Sequence, residues 1–385
     1  MSVSRTNLRP PSRKAVRQDK DLRVVVMSDA VAERNGVGTY YSDLVEYLRE
    51  RLGSVQFFYP DEDSRMRYKR ISVPMPGDDT QRLFVPRIPE VWRKVDEARP
   101  HVIVSATPGP FGLLGRSLSW RFRASLLVGF HTHIGALTDM YFGGRFRKRF
   151  AKRSLESTNK VLFRTCEAVL VNGTEMARTA KELGARRVEL VGTPVSPQFA
   201  GTPVSPAAEK VTRILYAGRL APEKNVPAVL EAAERLPGMQ FFLAGDGPLR
   251  TRIVRRGRKL GNLNFLGWLN RGKLLSVLDE VDMLVLPSHM ESFGTVALEA
   301  MVRGKLVLVS ASSGILGWPD LAKALFRIEP GEDLAHAISR VAGQDAEERK
   351  TKAWLARQAG MALNRSTIDH WVELVRESAV VADAR

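Results

Sequence analysis

Cysteine is nearly absent: Cys166 is the one thiol in 385 residues. That excludes an intrachain disulfide framework and fits a reducing compartment. Histidine is scarce too, at six, and no Cys/His cluster has zinc spacing. No apolar run approaches the ~20 residues that span a bilayer as a helix. The basic N-terminus lacks the continuous apolar stretch of a secretory signal. Zinc-finger spacings and aromatic RNA-binding motifs are also missing, which makes nucleic acid the weaker anionic partner. Acids are in deficit, with 42 Asp and Glu against 59 Lys and Arg, a net charge of +17. Such a chain needs anionic company: nucleic acid, anionic lipid or a phosphorylated substrate.

The composition, 44% hydrophobic and 26% charged, is that of a globular protein. Its length exceeds one ordinary domain, so two are expected. Strands are predicted at Leu22 to Ser28, Val55 to Tyr59, Val102 to Ser105, Ser125 to Phe130, Ala168 to Val171 and Val188 to Val191. A second series opens with Thr212 to Gly218 and continues at Gln240 to Ala244, Asn264 to Leu266, Met283 to Pro287 and Lys305 to Ser310. Strands alternating with helices imply α/β domains with parallel sheets covered on both faces. Pro194, Pro197, Gly201, Pro203 and Pro206 crowd one junction. The expected division is a basic flexible tail over 1–21 and a first Rossmann-like domain over 22–195. A linker over 196–208, a second Rossmann-like domain over 209–363 and a terminal helix over 364–385 follow. That helix either crosses back onto the first domain or closes the second.

The densest chemical signal is E-S-F-G-T-V-A-L-E, Glu291 to Glu299, between a predicted strand and helix. Glu291 falls in the loop and Phe293-Gly294-Thr295 opens the helix. Helix starts carry unpaired N–H groups and partial positive charge, which suit a diphosphate. Glu299, one turn in, is placed to reach a ribose hydroxyl, and Glu291 to accept from a sugar hydroxyl. Taken alone, the two glutamates also fit a solvated loop and an exposed helix face. G-R-L-A-P-E-K-N, Gly218 to Asn225, sets Arg219 and Lys224 at the end of another strand. Fixed cations there stabilise negative charge that develops on a leaving diphosphate. A-G-D-G-P, Ala244 to Pro248, and Gly267-Trp268-Leu269 end two further strands. In the first half Asn35-Gly36-Val37-Gly38 fills the first strand-to-helix turn, and F-H-T-H, Phe130 to His133, ends another strand. A zinc pair at His131 and His133 lacks further ligands.

These strings together closely resemble the signature of family-four retaining glycosyltransferases of GT-B architecture. The resemblance covers about residues 22 to 375 and implies two Rossmann-like, doubly wound domains facing a cleft, the first on the acceptor side and the second binding a nucleotide sugar. It implies that Glu291 contacts the donor sugar, Glu299 holds the ribose and His131 lies near the anomeric carbon. Arg219 and Lys224 would meet the diphosphate, and Gly218, Phe293, Gly294 and Thr295 would form the donor pocket. Gly36 and Val37 match a Gly-Gly-Val loop whose N–H groups meet the diphosphate from the other side. Asn35 replaces its first glycine, a position where tolerance of positive φ is expected to preserve the loop. Two departures follow Gly304: Lys305-Leu306-Val307 stands for Pro-Val-Val, and Ser313-Gly314 for a double glycine. The implied reaction moves a hexose from a UDP- or GDP-linked sugar to a hydroxyl, with an α bond formed by same-face displacement. No cofactor or obligatory metal is expected. Asp61-Glu62-Asp63 resembles a metal-binding D-x-D but reads as a solvated acidic turn.

The acceptor is less defined. His131 to Tyr141 followed by Arg145 to Arg164 resembles, more loosely, the branch that glycosylates membrane lipids and glycolipids. Phe142, Phe146, Phe150 and Leu155 add an apolar stripe to this basic segment, as in a membrane-surface anchor. An ordinary two-faced helix is the alternative. A cytoplasmic location is expected, with peripheral attachment to the cytoplasmic membrane face left open. The rival functions are transfer to a soluble polysaccharide or small glycoside, nucleotide-sugar epimerisation, and sugar-nucleotide binding without catalysis.

Overall fold

Runs without polar alternation, such as Val24-Val25-Val26 and Met283-Leu284-Val285-Leu286, suit strands covered on both faces, and every residue in them is buried. The computed structural model describes residues 18–32, 35–60, 69–75, 78–131, 145–204 and 209–383. A first unit contains β1 (Arg23–Met27), α1 (Gly36–Arg51), β2 (Ser54–Phe58), β3 (Lys69–Met75), β4 (Asp78–Pro86) and α2 (Ile88–Ala98). It continues through β5 (Val102–Ser105), α3 (Pro110–Phe122), β6 (Ser125–Gly129), α4 (Arg145–Thr165), β7 (Ala168–Val171), α5 (Thr174–Glu182) and β8 (Val188–Leu190). Helix α6 (Pro197–Gly201) leads to β9 (Arg213–Ala217), α7 (Val226–Arg235), β10 (Gln240–Ala244), α8 (Arg250–Gly257), β11 (Leu263–Gly267) and α9 (Arg271–Glu280). The chain ends with β12 (Met283–Leu286), α10 (Thr295–Val302), β13 (Leu306–Val309), α11 (Pro319–Ala324), β14 (Phe326–Arg327), α12 (Leu334–Ala342) and α13 (Ala346–Asp383).

Two six-stranded sheets form among the described residues, in the orders β2-β1-β5-β6-β7-β8 and β11-β10-β9-β12-β13-β14. Their pairings are parallel. The architecture is therefore the expected pair of doubly wound α/β domains. Strand order reverses between β1 and β5 and again between β9 and β12, and open α/β sheets bind ligands outside the strand ends at such points. The antiparallel β3–β4 hairpin was not expected, because Pro74 and charged residues break its alternation. Two-residue β14 is too short to leave a period.

The terminal helix starts at Ala346 rather than near residue 364 and runs 38 residues unbroken. Its Ala353, Ala356 and Leu363 pack in the second core. Trp371, Val372, Leu374, Val375 and Ala379 pack on the first sheet beside Tyr40, Tyr41 and Leu44. One helix thus belongs to both domains. The Trp371 indole donates to the Tyr40 hydroxyl at 2.8 Å, which donates to the Gly192 carbonyl at 3.1 Å. A Cβ on Gly192 would lie 2.0 Å from Thr367 Oγ1, so glycine permits this approach. The expected flexible tail also ends earlier than residue 21. Asp19–Asp21 is a 3-10 turn, fixed where Arg376 of α13 donates to Asp19 at 2.8 Å. Residues 1–17 lie outside the described residues, as do Asp61-Glu62-Asp63 and Pro206.

The start of the span read as a linker is folded and tied down. Arg303, fully buried just after α10, donates to the carbonyls of Phe199 at 3.1 Å and of Thr202 and Pro203 at 2.6 Å. The same guanidinium pairs with Asp279 at 2.8 Å. Removing one partner of a buried ion pair strands the other charge. Arg303→Ala is therefore expected to cost about 3–5 kcal/mol, read from the urea midpoint at constant slope. A loss under about 1 kcal/mol would match a solvated pair and contradict this role.

Candidate active site

The first helix start of the cleft is built by Asn35. Its side chain accepts from Gly38 N at 2.9 Å, capping α1, while its φ is −150°. Asparagine thus serves as an N-cap and not, as expected, for positive φ. A Cβ on Gly38 would sit 2.0 Å from the Val31 carbonyl, whereas one on Gly36 would meet only Thr295 Oγ1, at 3.8 Å. Gly36 opens α1 in the first domain and Thr295 opens α10 in the second. Two helix N-termini face one another across the cleft.

Gly294, at φ +94°, turns the chain into α10 and supplies no side-chain cap, which leaves that positive helix end available to an anion. Phe293 departs from its expected place. Its ring is buried in the second core, edge-on to Trp318, so only its backbone can border a donor. Ser313 at φ −78° needs no glycine, which explains one departure from the family pattern. Gly314 is required, since a Cβ there would lie 1.9 Å from the Ser292 carbonyl. Lys305, the other departure, is buried and donates to the Asp279 carbonyl at 2.9 Å.

The two cations expected at the edge of β9 are each met by a carboxylate. Lys224 Nζ lies 2.6 Å from Glu291 Oε2, and Arg219 Nη1 lies 3.3 Å from Glu223 Oε1. All four side chains are mostly buried. The Ala244–Pro248 turn braces this loop: Gly218 N donates to Ala244 O at 3.0 Å and Leu220 N to Asp246 O at 2.9 Å. A Cβ on Gly245, at φ +141°, would lie 1.8 Å from the Gly218 carbonyl. That string therefore holds Gly218 to Leu220 in place. Trp268 is 41% exposed at the end of β11 and is not a core residue.

On the first domain, His131 lies two residues past the end of β6 and is 7% exposed. Its Nε2 is 3.0 Å from the Tyr41 hydroxyl, its ring lies 4.7 Å from that of Tyr40, and buried Nδ1 has no protein partner. Burial drives its pKa down to about 4, so the ring is neutral near pH 7 and can polarise a hydroxyl without carrying charge. His133 and Phe142 lie outside the described residues, as do the side chains of Phe146 and Phe150.

Glu299 is 2% exposed, unlike an ordinary helix-face glutamate. Arg271 of α9 donates to it from Nη1 and to Asp43 of α1 from Nη2 at 2.9 Å. Arg271, Asp43, Glu223 and Tyr41 were not singled out from the sequence. A signal existed for two of them. Asp43 interrupts the buried face of Tyr40, Leu44 and Leu48, and Arg271 places a cation in the first turn of a helix, where acids are favoured.

A family model described as Glycosyltransferase Family 4 matches residues 34–199, and one described as glycosyl transferases group 1 matches residues 202–353. The two matches meet at the domain junction and take in each site element above. The chain belongs to the family-four glycosyltransferases. Its fold is shared with a sucrose-phosphate synthase from Thermosynechococcus elongatus, at a TM-score of 0.71 and 19% identity over 92% of this chain and 98% of that one. HepE from Anabaena, solved in complex with UDP-glucose, superposes at 0.63 and 16% identity over 91% and 98%. The sulfoquinovosyl transferase SQD2 of Arabidopsis thaliana is 22% identical over 77% of this chain and 61% of its own length. Further curated relatives are matched over only 45% and 26% of their lengths. Among the described residues, no group of three or more His, Cys, Asp or Glu is placed to hold a metal, and no helix is long and apolar enough to cross a membrane.

The neutral state of His131 is measurable. Its ring resonances should show no inflection between about pH 5 and 8. Because the folded pKa of about 4 lies below the ordinary histidine value, the unfolded chain takes up the proton first. The stability linked to this ring is present above the ordinary pKa and is lost as pH falls through the folded value. His131→Gln should remove that share of acid sensitivity. An inflection near the ordinary histidine pKa would contradict a buried neutral ring.

Proposed function

We propose that the protein is a retaining glycosyltransferase that moves a hexose from a UDP- or GDP-linked sugar to a hydroxyl acceptor, forming an α-glycosidic bond. The facing helix starts at Gly36 and Thr295, with Lys224 and Arg219 beside the second, carry this reading. They offer N–H groups from both domains and two cations to one diphosphate. Lys224 exchanges its contact with Glu291 for a contact with the phosphate, which frees Glu291 for a sugar hydroxyl. Neutral His131 polarises a donor hydroxyl from the acceptor side. The leaving phosphate takes the acceptor's proton as the new bond forms on the same face, so no enzymic nucleophile is needed. The cations and the α10 start neutralise the leaving group without an obligatory metal. HepE was solved with UDP-glucose, which favours a uridine donor.

A donor screen without added divalent metal, read as nucleotide release, tests the class. Transfer with an α product is expected, and Lys224→Ala should lower turnover by roughly a hundred- to a thousandfold, as loss of one preorganised electrostatic group does. Glu299→Ala should mainly weaken nucleotide binding, because ribose contacts are shared by ground and transition states. Epimer formation without sugar release, or silence with every donor, would overturn transferase activity.

For the acceptor we propose a lipid or glycolipid at an anionic membrane surface. Helix α4 exposes Arg149, Lys152, Arg153, Lys160 and Arg164. Helix α3, joined to it by the Arg116–Thr165 hydrogen bond of 3.0 Å, exposes Trp120 at 85%. Basic residues near an anionic surface contribute about 1 kcal/mol each, and tryptophan suits the interface. Binding to anionic vesicles should exceed binding to neutral ones and fall with salt. Reversing Arg149, Lys152 and Arg153 to glutamate should remove most of it while donor hydrolysis persists. Absence of vesicle binding at low salt would favour a soluble acceptor.

A further inference from the structure

Arg271 is misplaced by local rules. It is the first residue of α9, behind the Asn270 cap, where the positive helix end disfavours a cation. Tertiary contacts hold it there. Its side chain is 13% exposed, against 5% for Asp43 and 2% for Glu299, and its guanidinium lies 4.5 Å from the centre of the Phe199 ring. Four pieces of chain meet at this group: α1 of the first domain, α6 between the domains, and α9 and α10 of the second.

The spacing ties the guanidinium to the cleft. Asp43 lies two turns along α1 from Gly36, and Glu299 lies about one turn along α10 from Thr295, as 3.6 residues per turn requires. The helices whose starts face one another each project a carboxylate behind that start, and one guanidinium joins the two. Two carboxylates brought this close without it would repel in a site with little water. The interaction therefore acts on the separation of the domains as well as on the orientation of Glu299.

We infer that Arg271 is a positioning residue that couples recognition of the donor ribose to closure of the two domains, through Asp43 on one side and Glu299 on the other. The ribose part rests on the proposed role of Glu299. When the guanidinium is engaged on both sides, Glu299 is fixed in one rotamer and Gly36 is held against Thr295, so ribose and diphosphate are met in the same closed arrangement. Ribose binding and closure then favour each other, since linkage between two such equilibria is reciprocal.

Full-length Arg271→Met, Asp43→Asn and Glu299→Gln would be compared with the parent by small-angle scattering and by titration with UDP, 2′-deoxy-UDP, GDP and 2′-deoxy-GDP. Circular dichroism checks that each variant is folded. Arg271→Met should enlarge the ligand-free radius of gyration, weaken the better-bound ribonucleotide by about tenfold and shrink its preference over the 2′-deoxy form. Asp43→Asn is nearly isosteric and leaves Glu299 untouched, yet should move radius and affinity in the same direction. It keeps the inference falsifiable if Arg271→Met does not fold. An unchanged radius in folded Arg271→Met or Asp43→Asn overturns the coupling, whatever the nucleotides do. If Glu299→Gln leaves the ribo-to-deoxy ratio intact while the other variants enlarge the radius, the ribose assignment fails and the domain latch stands.

Discussion

The helix Ala346–Asp383 is a structural member of two hydrophobic cores at once, and the geometry of the cleft depends on that. Its first part is buried with Ala353, Ala356 and Leu363 against the second sheet, and its second part places Trp371 and Val375 under the first. Separating the domains fully would expose one of these faces to water, at about 25 cal/mol for each Å² of apolar surface. The domains therefore stay joined through this helix. Arg303 adds a second restraint by holding the carbonyls of Phe199, Thr202 and Pro203. With both restraints in place, the strand ends of the two sheets are kept in register across the gap, and Gly36 meets Thr295.

Inside the cleft, charge is arranged in pairs that a ligand can rearrange. A chain of net charge +17 does not leave its cleft cations bare: Lys224 is met by Glu291 and Arg219 by Glu223. Such pairing keeps mostly buried charges compensated, which matters because an isolated ion there would carry a desolvation cost of several kcal/mol. It also holds each cation in a fixed orientation at the strand edge. His131 is the contrasting case. Burial beside Tyr40 and Tyr41 holds it neutral, so this ring offers hydrogen bonding and shape without charge.

Much of the fold was legible from period alone. Strands buried on both faces leave continuous apolar runs, and the eleven strands expected from the sequence form within a few residues of their expected places, from Arg23–Met27 to Leu306–Val309. Boundaries that depend on long-range partners were not. Residues Asp19–Asp21 read as tail because the ion pair that orders them involves Arg376, 357 residues away. The terminal helix was placed late because its first part, with Ala353, Ala356 and Leu363, packs in the second core and was read as part of that domain. Hairpin β3–β4 was missed because Pro74 and flanking charges disguise its alternation.

The candidate site divides along the same line. Short strings determined where Gly36, Lys224, Glu291 and Thr295 sit, because tight turns, helix starts and strand ends are local events with local residue requirements. Whether those residues face one another is a property of two domains, and only the tertiary structure decided it. It also decided that Phe293 turns into the core, that Asn35 is a cap, and that Glu299 is buried in an ion pair with Arg271, which pairs with Asp43 as well. Asp43 and Arg271 are 228 residues apart in the chain, and no periodicity relates them. Their pairing follows from the relative placement of two sheets, which burial of one long helix in both cores imposes.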